Sequence, residues 1–363
     1  PVVLKVGSGS QVSEIRHLLE EKSSEVKLDS PADWVVVNAG GSGFFRARYT
    51  KSMLKSVSRD MFSNLTSVER YGLVDDTWSS VMAGRTSAED FLEFARSFHL
   101  ETDLDVWTVL SGCLSGLEKL VEGQAEHQYR AVVRDLAQPG LDRFGWEPGD
   151  TDSPRDLELR GLFIRLLANV GDDDLAQDNA GDLHDSYLRD AGSVEPNMAA
   201  AVTGVVASKG DTADYDLFLE KYRDPSTPQE ERRYQSALSA FPGEPEMKRT
   251  LKMTLDGTVR TQDAPYLLAV CMRNKYQGHI AWDFVKENWD KINEVFPSNS
   301  IVRMLSGVTS LSKPSEAEDV LAFFEDHEVP QGQLTLQQTL EKLQVIVALR
   351  KRETERFSAS LTS

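Results

Sequence analysis

Trp34-Val35-Val36-Val37-Asn38-Ala39-Gly40-Gly41-Ser42-Gly43-Phe44-Phe45-Arg46-Ala47-Arg48-Tyr49 is the segment around which the rest of the chain is organised. Trp, Val, Phe and Tyr favour strands, and glycines suit the positive φ of a tight turn. The stretch therefore predicts a β-hairpin whose second strand alternates aromatic and basic side chains. Upstream, Val2 to Val6 is a short apolar strand, and Gly7-Ser8-Gly9-Ser10 reads as a turn. Val12 to Lys22 is ambiguous, because Ile15, Leu18 and Leu19 fall at helical spacing. Residues 1 to about 50 otherwise read as β.

After Tyr49 the hydrophobic period changes from two to 3.6. Thr66-Ser-Val-Glu69 has the spacing of a capping box, and the helix after it carries Tyr71, Val74, Trp78, Val81 and Met82 on one face. Thr86-Ser87 opens a helix with Phe91, Leu92, Phe94 and Ala95 inward. Leu104 to Leu120 is long and includes Trp107, Leu110, Leu114 and Leu117. Glu126 to Phe144 is expected to break at Pro139-Gly140, because an interior proline removes a donor and crowds the preceding turn. Residues 145–153 are the clearest loop, before an amphipathic helix from Asp156 to Asn169. Thr227-Pro-Gln-Glu230 combines a cap, a first-turn proline and a capping glutamate, and Ser315 with Glu318 forms a second box. About fifteen helices joined by short loops predict a mainly α fold. The expected architecture is an irregular, HEAT- or armadillo-like superhelix of antiparallel helix pairs after a short β segment.

Forty Lys and Arg against 58 Asp and Glu leave a net charge of −18, which argues against nucleic acid and anionic membrane surfaces as partners. No apolar run approaches the roughly 20 residues that span a bilayer, and no signal-peptide pattern is visible. Cys113 and Cys271 lie in apolar helical patterns outside any C-x-x-C, as expected for buried thiols in a reducing, cytoplasmic compartment.

The order of residues from Trp34 to Tyr49 resembles the W-x-x-x-N-x-G-x-x-G-[FY]-[FY]-R-x-x-Y segment of zinc aminopeptidases of the aminopeptidase N family. Four further islands follow in the family's order. They are Leu100 to Trp107, Arg260-Thr-Gln-Asp263, Ala281-Trp282-Asp-Phe284-Val-Lys-Glu-Asn288-Trp289, and Thr339-Leu-Glu341-Lys-Leu343. The details resemble the bacterial branch, especially actinobacterial members, while residues 145–215 show little similarity. The resemblance implies that residues 1–50 are the last strands of a small β-sandwich and residues 51–363 the α-helical C-terminal domain. It also implies two strands joined at Ser23-Ser24, the second from Glu25 to Leu28, in place of a helix over residues 12–22. In the family the helical domain packs on the zinc-bearing catalytic domain, covers its active site and bounds the peptide cavity. The expected partners are thus the catalytic domain of the same polypeptide and peptide substrates. A free-standing helical scaffold that binds a protein or peptide is the alternative.

The zinc chemistry has no residues here. The histidines are His17, His99, His127, His184, His279 and His327, and none begins an H-x-x-x-H pair. His327-Glu328 lacks the second histidine, since Gln331 stands in its place. Zinc is expected in the full-length enzyme and not on this chain. Asp172-Asp-Asp174 misses the EF-hand spacing and reads as a solvated helix start, and Gly40 to Gly43 lacks the Lys-Ser/Thr of a phosphate loop. Trp282 and Trp289, seven apart, read as a core stripe on one helix, and Arg46 as a structural ion-pair partner. For contact with the distal end of a peptide, the resemblance singles out Arg273, Arg303 and Ser310 by their position among the islands.

Overall fold

A computed structural model describes residues 1–362. The described chain is mainly helical, with three strands at its start, and divides into two compact units, residues 1–171 with 352–362 and residues 172–351.

In the first unit β1 (Val2–Ser8) lies between β2 (Gln11–His17) and β3 (Trp34–Val37), antiparallel to both. The hairpin is thus β1–β2, turning at Gly9 with φ 58°. Pairing along all of β2, from Val2 opposite His17 to Ser8 opposite Gln11, overrides the helical spacing of Ile15, Leu18 and Leu19. The expected strand from Glu25 to Leu28 does not form, and residues 18–33 are irregular. Gly7 faces Trp34 across the ladder, where a Cβ would sit 2.1 Å from the indole, so only glycine admits the ring.

Trp34 to Tyr49 is not a hairpin. The strand stops at Val37, and Ala39–Gly41 forms a single 3-10 turn. Asn38 adopts φ 67°, and its side chain clamps Gly43: Oδ1 accepts from Gly43 N at 2.6 Å and Nδ2 donates to Gly43 O at 3.0 Å. The side-chain clamp replaces the backbone ladder that a second strand would need. The Tyr49 hydroxyl accepts from Val37 N at 2.9 Å and donates to Val37 O at 3.1 Å, so a phenol satisfies the edge of β3.

Helices α1 (Lys51–Ser58), α2 (Met61–Asn64), α3 (Ser67–Met82), α4 (Ala88–Ala95), α5 (Leu104–Glu118), α6 (Gln124–Phe144) and α7 (Pro154–Arg165) complete this unit's first 171 residues. The Thr66–Glu69 capping box forms at α3, Ser87 caps α4, and Ser153 with Asp156 boxes α7. Phe91, Leu92, Phe94 and Ala95 are buried, as are Trp107, Leu110, Leu114 and Leu117, while Tyr71 is exposed. Helix α6 runs unbroken through Pro139. Leu136, Ala137 and Leu141 are buried around it, and Gly140 lies against Phe163, where a Cβ would come within 2.2 Å of the ring. Burial on both sides of the proline holds one turn together despite the lost donor.

The second unit holds α8 (Asp174–Arg189), α9 (Pro196–Lys209), α10 (Thr212–Arg223), α11 (Pro228–Ala237), α12 (Glu244–Met253), α13 (Ala264–Cys271), α14 (Gly278–Glu287), α15 (Trp289–Val295), α16 (Ser298–Met304) and α17 (Pro314–Asp326). The final helix, α18 (Gln333–Thr362), supplies its residues to 351 here and the remainder to the first unit. Neighbours pack in series, α8 on α9, α9 on α11, α10 on α11, α12 on α14 and α13 on α16. Thr227 caps α11, but Glu230 turns to Ser226 N and the Tyr187 hydroxyl, so the box is half made. The expected box at Ser315 is displaced, because Pro314 already occupies the first turn and Lys313 the cap position. Trp282 and Trp289 lie on two short helices divided at Asn288, and both pack on Phe323 and Phe324. They are core, as the spacing suggested.

Candidate functional site

Two kinds of polar residue stand out, those locked inside the fold and those left facing solvent. The first kind surrounds the glycine turn. Glu69, 4% exposed, accepts from Thr66 N at 2.8 Å, from Lys5 Nζ at 2.9 Å and from Gly40 N at 3.1 Å. Burial opposes its ionisation, but these three donors outweigh it and hold the carboxyl below its usual range. Arg46 pairs with Asp75 and Asp76, and Ala47 N donates to Asp76 at 3.1 Å. Nearby, Glu101 receives both Nε and Nη2 of Arg70, at 2.6 and 2.9 Å, and its backbone carbonyl accepts from the Trp107 indole at 2.8 Å. These contacts use Gly40, Arg46 and Ala47 of the Trp34–Tyr49 segment and Glu101 and Trp107 of the Leu100–Trp107 segment. They are structural.

The second kind lines a cleft of about 630 Å³ inside the second unit. Tyr266, Ala269 and Val270 come from one face of α13, at helical spacing, and Arg273 follows just past its end. Helix α16 adds Asn299, Val302 and Arg303, and the turn after it adds Ser306. Gln331, Gly332, Thr335 and Thr339 close the far side from the start of α18 and the turn before it. Two glycines set the walls. A Cβ on Gly307 would lie 2.7 Å from the Ala269 carbonyl, and one on Gly332 would lie 2.1 Å from Val302.

The lining contains two arginines and no carboxylate, although the chain carries a net charge of −18. Arg273 donates to the Ser306 hydroxyl at 2.9 Å, and neither arginine is ion-paired among the described residues. Two exposed arginines of the same unit are paired, Arg249 to Asp216 and Arg260 to Glu231. The cleft is therefore a basic, partly apolar recess suited to an anionic group attached to an apolar one.

Of the three residues singled out by position, Arg273 and Arg303 share this cleft, and the half-buried Ser310 is not among its lining residues. Tyr266, Asn299, Ser306 and Thr335 were not anticipated. Two of the sequence islands did point toward them. Asp263 of the Arg260–Asp263 segment stands at the cap position of α13, and Thr339 of the last island lines the cleft itself.

No group of three or more His, Cys, Asp or Glu side chains among the described residues is placed to hold a metal ion. The donors present among the described residues do not fit zinc. Cys113 and Cys271 are free buried thiols, both pushed upward in pKa by burial, the latter to about 12. No helix among the described residues is long and apolar enough to cross a membrane.

Comparison with known proteins gives a family match over residues 34–345, to the model described as ERAP1-like C-terminal domain. Aminopeptidase M1 of Arabidopsis thaliana is 27% identical over 334 residues, covering 88% of this chain and 37% of the plant protein. Endoplasmic reticulum aminopeptidase 2 of Bos taurus is 29% identical over 349 residues, 90% of this chain and 35% of its own length. Puromycin-sensitive aminopeptidase of Caenorhabditis elegans is 28% identical over 304 residues, 80% and 32%. The chain thus spans about a third of the length of these relatives.

Proposed function

The chain belongs to the ERAP1-like C-terminal domain family, and from that premise we propose that it is the non-catalytic C-terminal part of a zinc-dependent aminopeptidase. In this reading residues 1–50 close a small β-sandwich, and residues 51–363 form the helical domain that covers the active site and bounds the peptide cavity. The catalytic domain of the same polypeptide carries the zinc and removes N-terminal residues. This chain holds the peptide's other end, through pairing of the tail carboxylate with Arg273 and Arg303 and hydrogen bonds from the neighbouring polar groups. The observation that carries the proposal is the cleft with two arginines, neither ion-paired, and no acidic lining.

The free-standing scaffold is disfavoured by relatives that are aminopeptidases by name over most of this chain's length. A cytoplasmic setting is supported by the two free buried thiols. A bacterial, actinobacterial-type affiliation rests on Thr261-Gln-Asp263 and Lys286-Glu-Asn-Trp-Asp290 alone, while the relatives named above come from a plant and two animals.

Alanine at Arg273 and Arg303 in the full polypeptide tests the reading. KM for peptides should rise several-fold, with little change for single-residue amides, which have no tail to hold. Equal effects on both substrate types would remove the tail-binding role.

A further inference from the structure

The end of α7 is covered on nearly every side. From Leu159 to Ala168 each residue is buried except Arg165, which is exposed. Directly after it the helix widens into a single π turn, Leu166–Val170, closed by Gly171 N donating to Leu166 O at 2.9 Å. Turns of this kind gather at functional sites. The two arginines of this run are used differently. Arg160, fully buried, donates to the carbonyls of Phe144 and Gly145 and pairs with Asp152. Arg165 makes no hydrogen bond, ion pair or ring contact among the described residues.

Resting on the reading that this domain bounds the peptide cavity, we propose that Arg165 is a specificity contact in the first unit, which pairs with the carboxylate of an aspartate or glutamate inside the peptide. Burial lowers the pKa of Arg165 and no acidic group offsets it, so the cation has given up hydration without gaining a partner. Folding alone favours a leucine at such a position. A carboxylate brought by a ligand restores the loss through two parallel N–H donors. A glutamine offers one oxygen and carries donors that a guanidinium cannot accept. The sequence keeps the arginine free for this contact. Leu159 to Gly171 contains no acidic residue, and neither does α5 between Asp105 and Glu118, the helix that packs on both α7 and the π turn. Asp105 itself is taken by Arg155 at 2.9 Å. Glu158 lies two turns upstream, about 10 Å along the axis and out of pairing range.

The test is direct binding to the 363-residue chain by saturation-transfer NMR, using N-acetylated, C-amidated nonapeptides of uncharged sequence. Blocking both ends keeps a tail carboxylate out of the measurement. A single glutamate, with glutamine for comparison, is placed at each interior position in turn. At one position or two neighbouring ones, glutamate should bind at least about fivefold more tightly than glutamine. In Arg165→Leu that ratio should fall to near one, with an unfolding midpoint no lower than the parent's. Arg165→Lys should keep part of the preference, and the Arg273→Ala/Arg303→Ala double variant all of it. Equal binding of glutamate and glutamine at every position overturns the contact. If a free-acid nonapeptide still binds more tightly than its amide, the tail reading stands without it. No binding of any peptide, free acid included, removes that reading and the contact together. A glutamate preference that survives in Arg165→Leu overturns the assignment to this residue. A lower unfolding midpoint in Arg165→Leu overturns it too, since the arginine would then be kept by folding.

Discussion

The glycine turn around Asn38 and the cleft around Arg273 treat charge in opposite ways. At the turn Glu69 is held by Thr66, Lys5 and Gly40, and Arg46 by Asp75 and Asp76. At the cleft Arg273 and Arg303 face solvent with no carboxylate beside them. A buried charge must be paired or it destabilises the fold, so the first region is specified by folding. An exposed cation can stay unpaired at almost no cost, so nothing in folding requires the second arrangement. Distinctive residues in the sequence therefore mark architecture, and the quieter ones are those we propose for a ligand.

The sharpest way to break the contrast is Glu69→Ala. It strands Lys5 and leaves the amides of Thr66 and Gly40 without an acceptor, in a setting where the carboxylate is nearly inaccessible. Removing one partner of such a buried pair costs about 3–5 kcal/mol. Denaturant unfolding should show a loss of that size. A loss below about 1 kcal/mol would mean that the turn is held by Asn38 and Tyr49 alone.

A buried ionisable group with no charged partner sharpens the same point through pH. His184 lies among Tyr187, Phe218 and Tyr234, and burial pushes its pKa down to about 4, below the ordinary 6.5. Asp185 and Asp214 favour its charged form, and Arg233 and Lys221 oppose it, but burial dominates. The unfolded chain takes up a proton near pH 6.5, whereas the folded chain does so only near pH 4. Stability from the neutral ring is thus complete above about pH 6.5 and is lost as pH falls from there to about 4, with no further loss below. The total is about 3 kcal/mol at that separation of pKa values. In a His184→Phe variant the pH dependence of unfolding should flatten over this interval, and an unchanged slope would assign it to other groups.

What the sequence made legible follows from whether a signal is local. The capping box at Thr66, the buried face of α4 and the Trp282–Trp289 stripe depend on spacing within a few residues, and they form. The hairpin expected at Trp34–Tyr49 failed because Asn38 and Tyr49 satisfy the backbone with side chains, which no alternation pattern reveals. The break expected at Pro139 failed because burial of its neighbours outweighs one missing donor. The cleft was half legible. Arg273 and Arg303 stood out by position, but Tyr266, Ser306 and Thr335 come from elements distant in sequence, and only packing brings them together.

A smaller effect separates side-chain closure of the turn from simple burial. Tyr49→Phe keeps the ring but leaves the N–H and C=O of Val37 without the hydroxyl that now satisfies both. The tyrosine is 6% exposed, so water replaces the hydroxyl poorly, and the expected loss is about 1–3 kcal/mol. Amide exchange at Val37 should quicken in the variant. Unchanged exchange would show that the edge of β3 is protected by something other than the phenol.

The smallest expected effect bears most on function. Arg273→Ala removes one hydrogen bond to Ser306, and Arg303→Ala removes no ion pair among the described residues. Surface changes of this kind stay within about 0.5 kcal/mol, so each variant should unfold at nearly the same denaturant concentration as the parent. A loss above about 1.5 kcal/mol from either would move that arginine into the class of Glu69, a residue kept by folding, and the cleft would lose its claim to a ligand. Near-neutral stability joined to weakened binding of an acidic tail would instead show that the two regions differ in kind: one set of charges holds the chain together, and the other is held out by it.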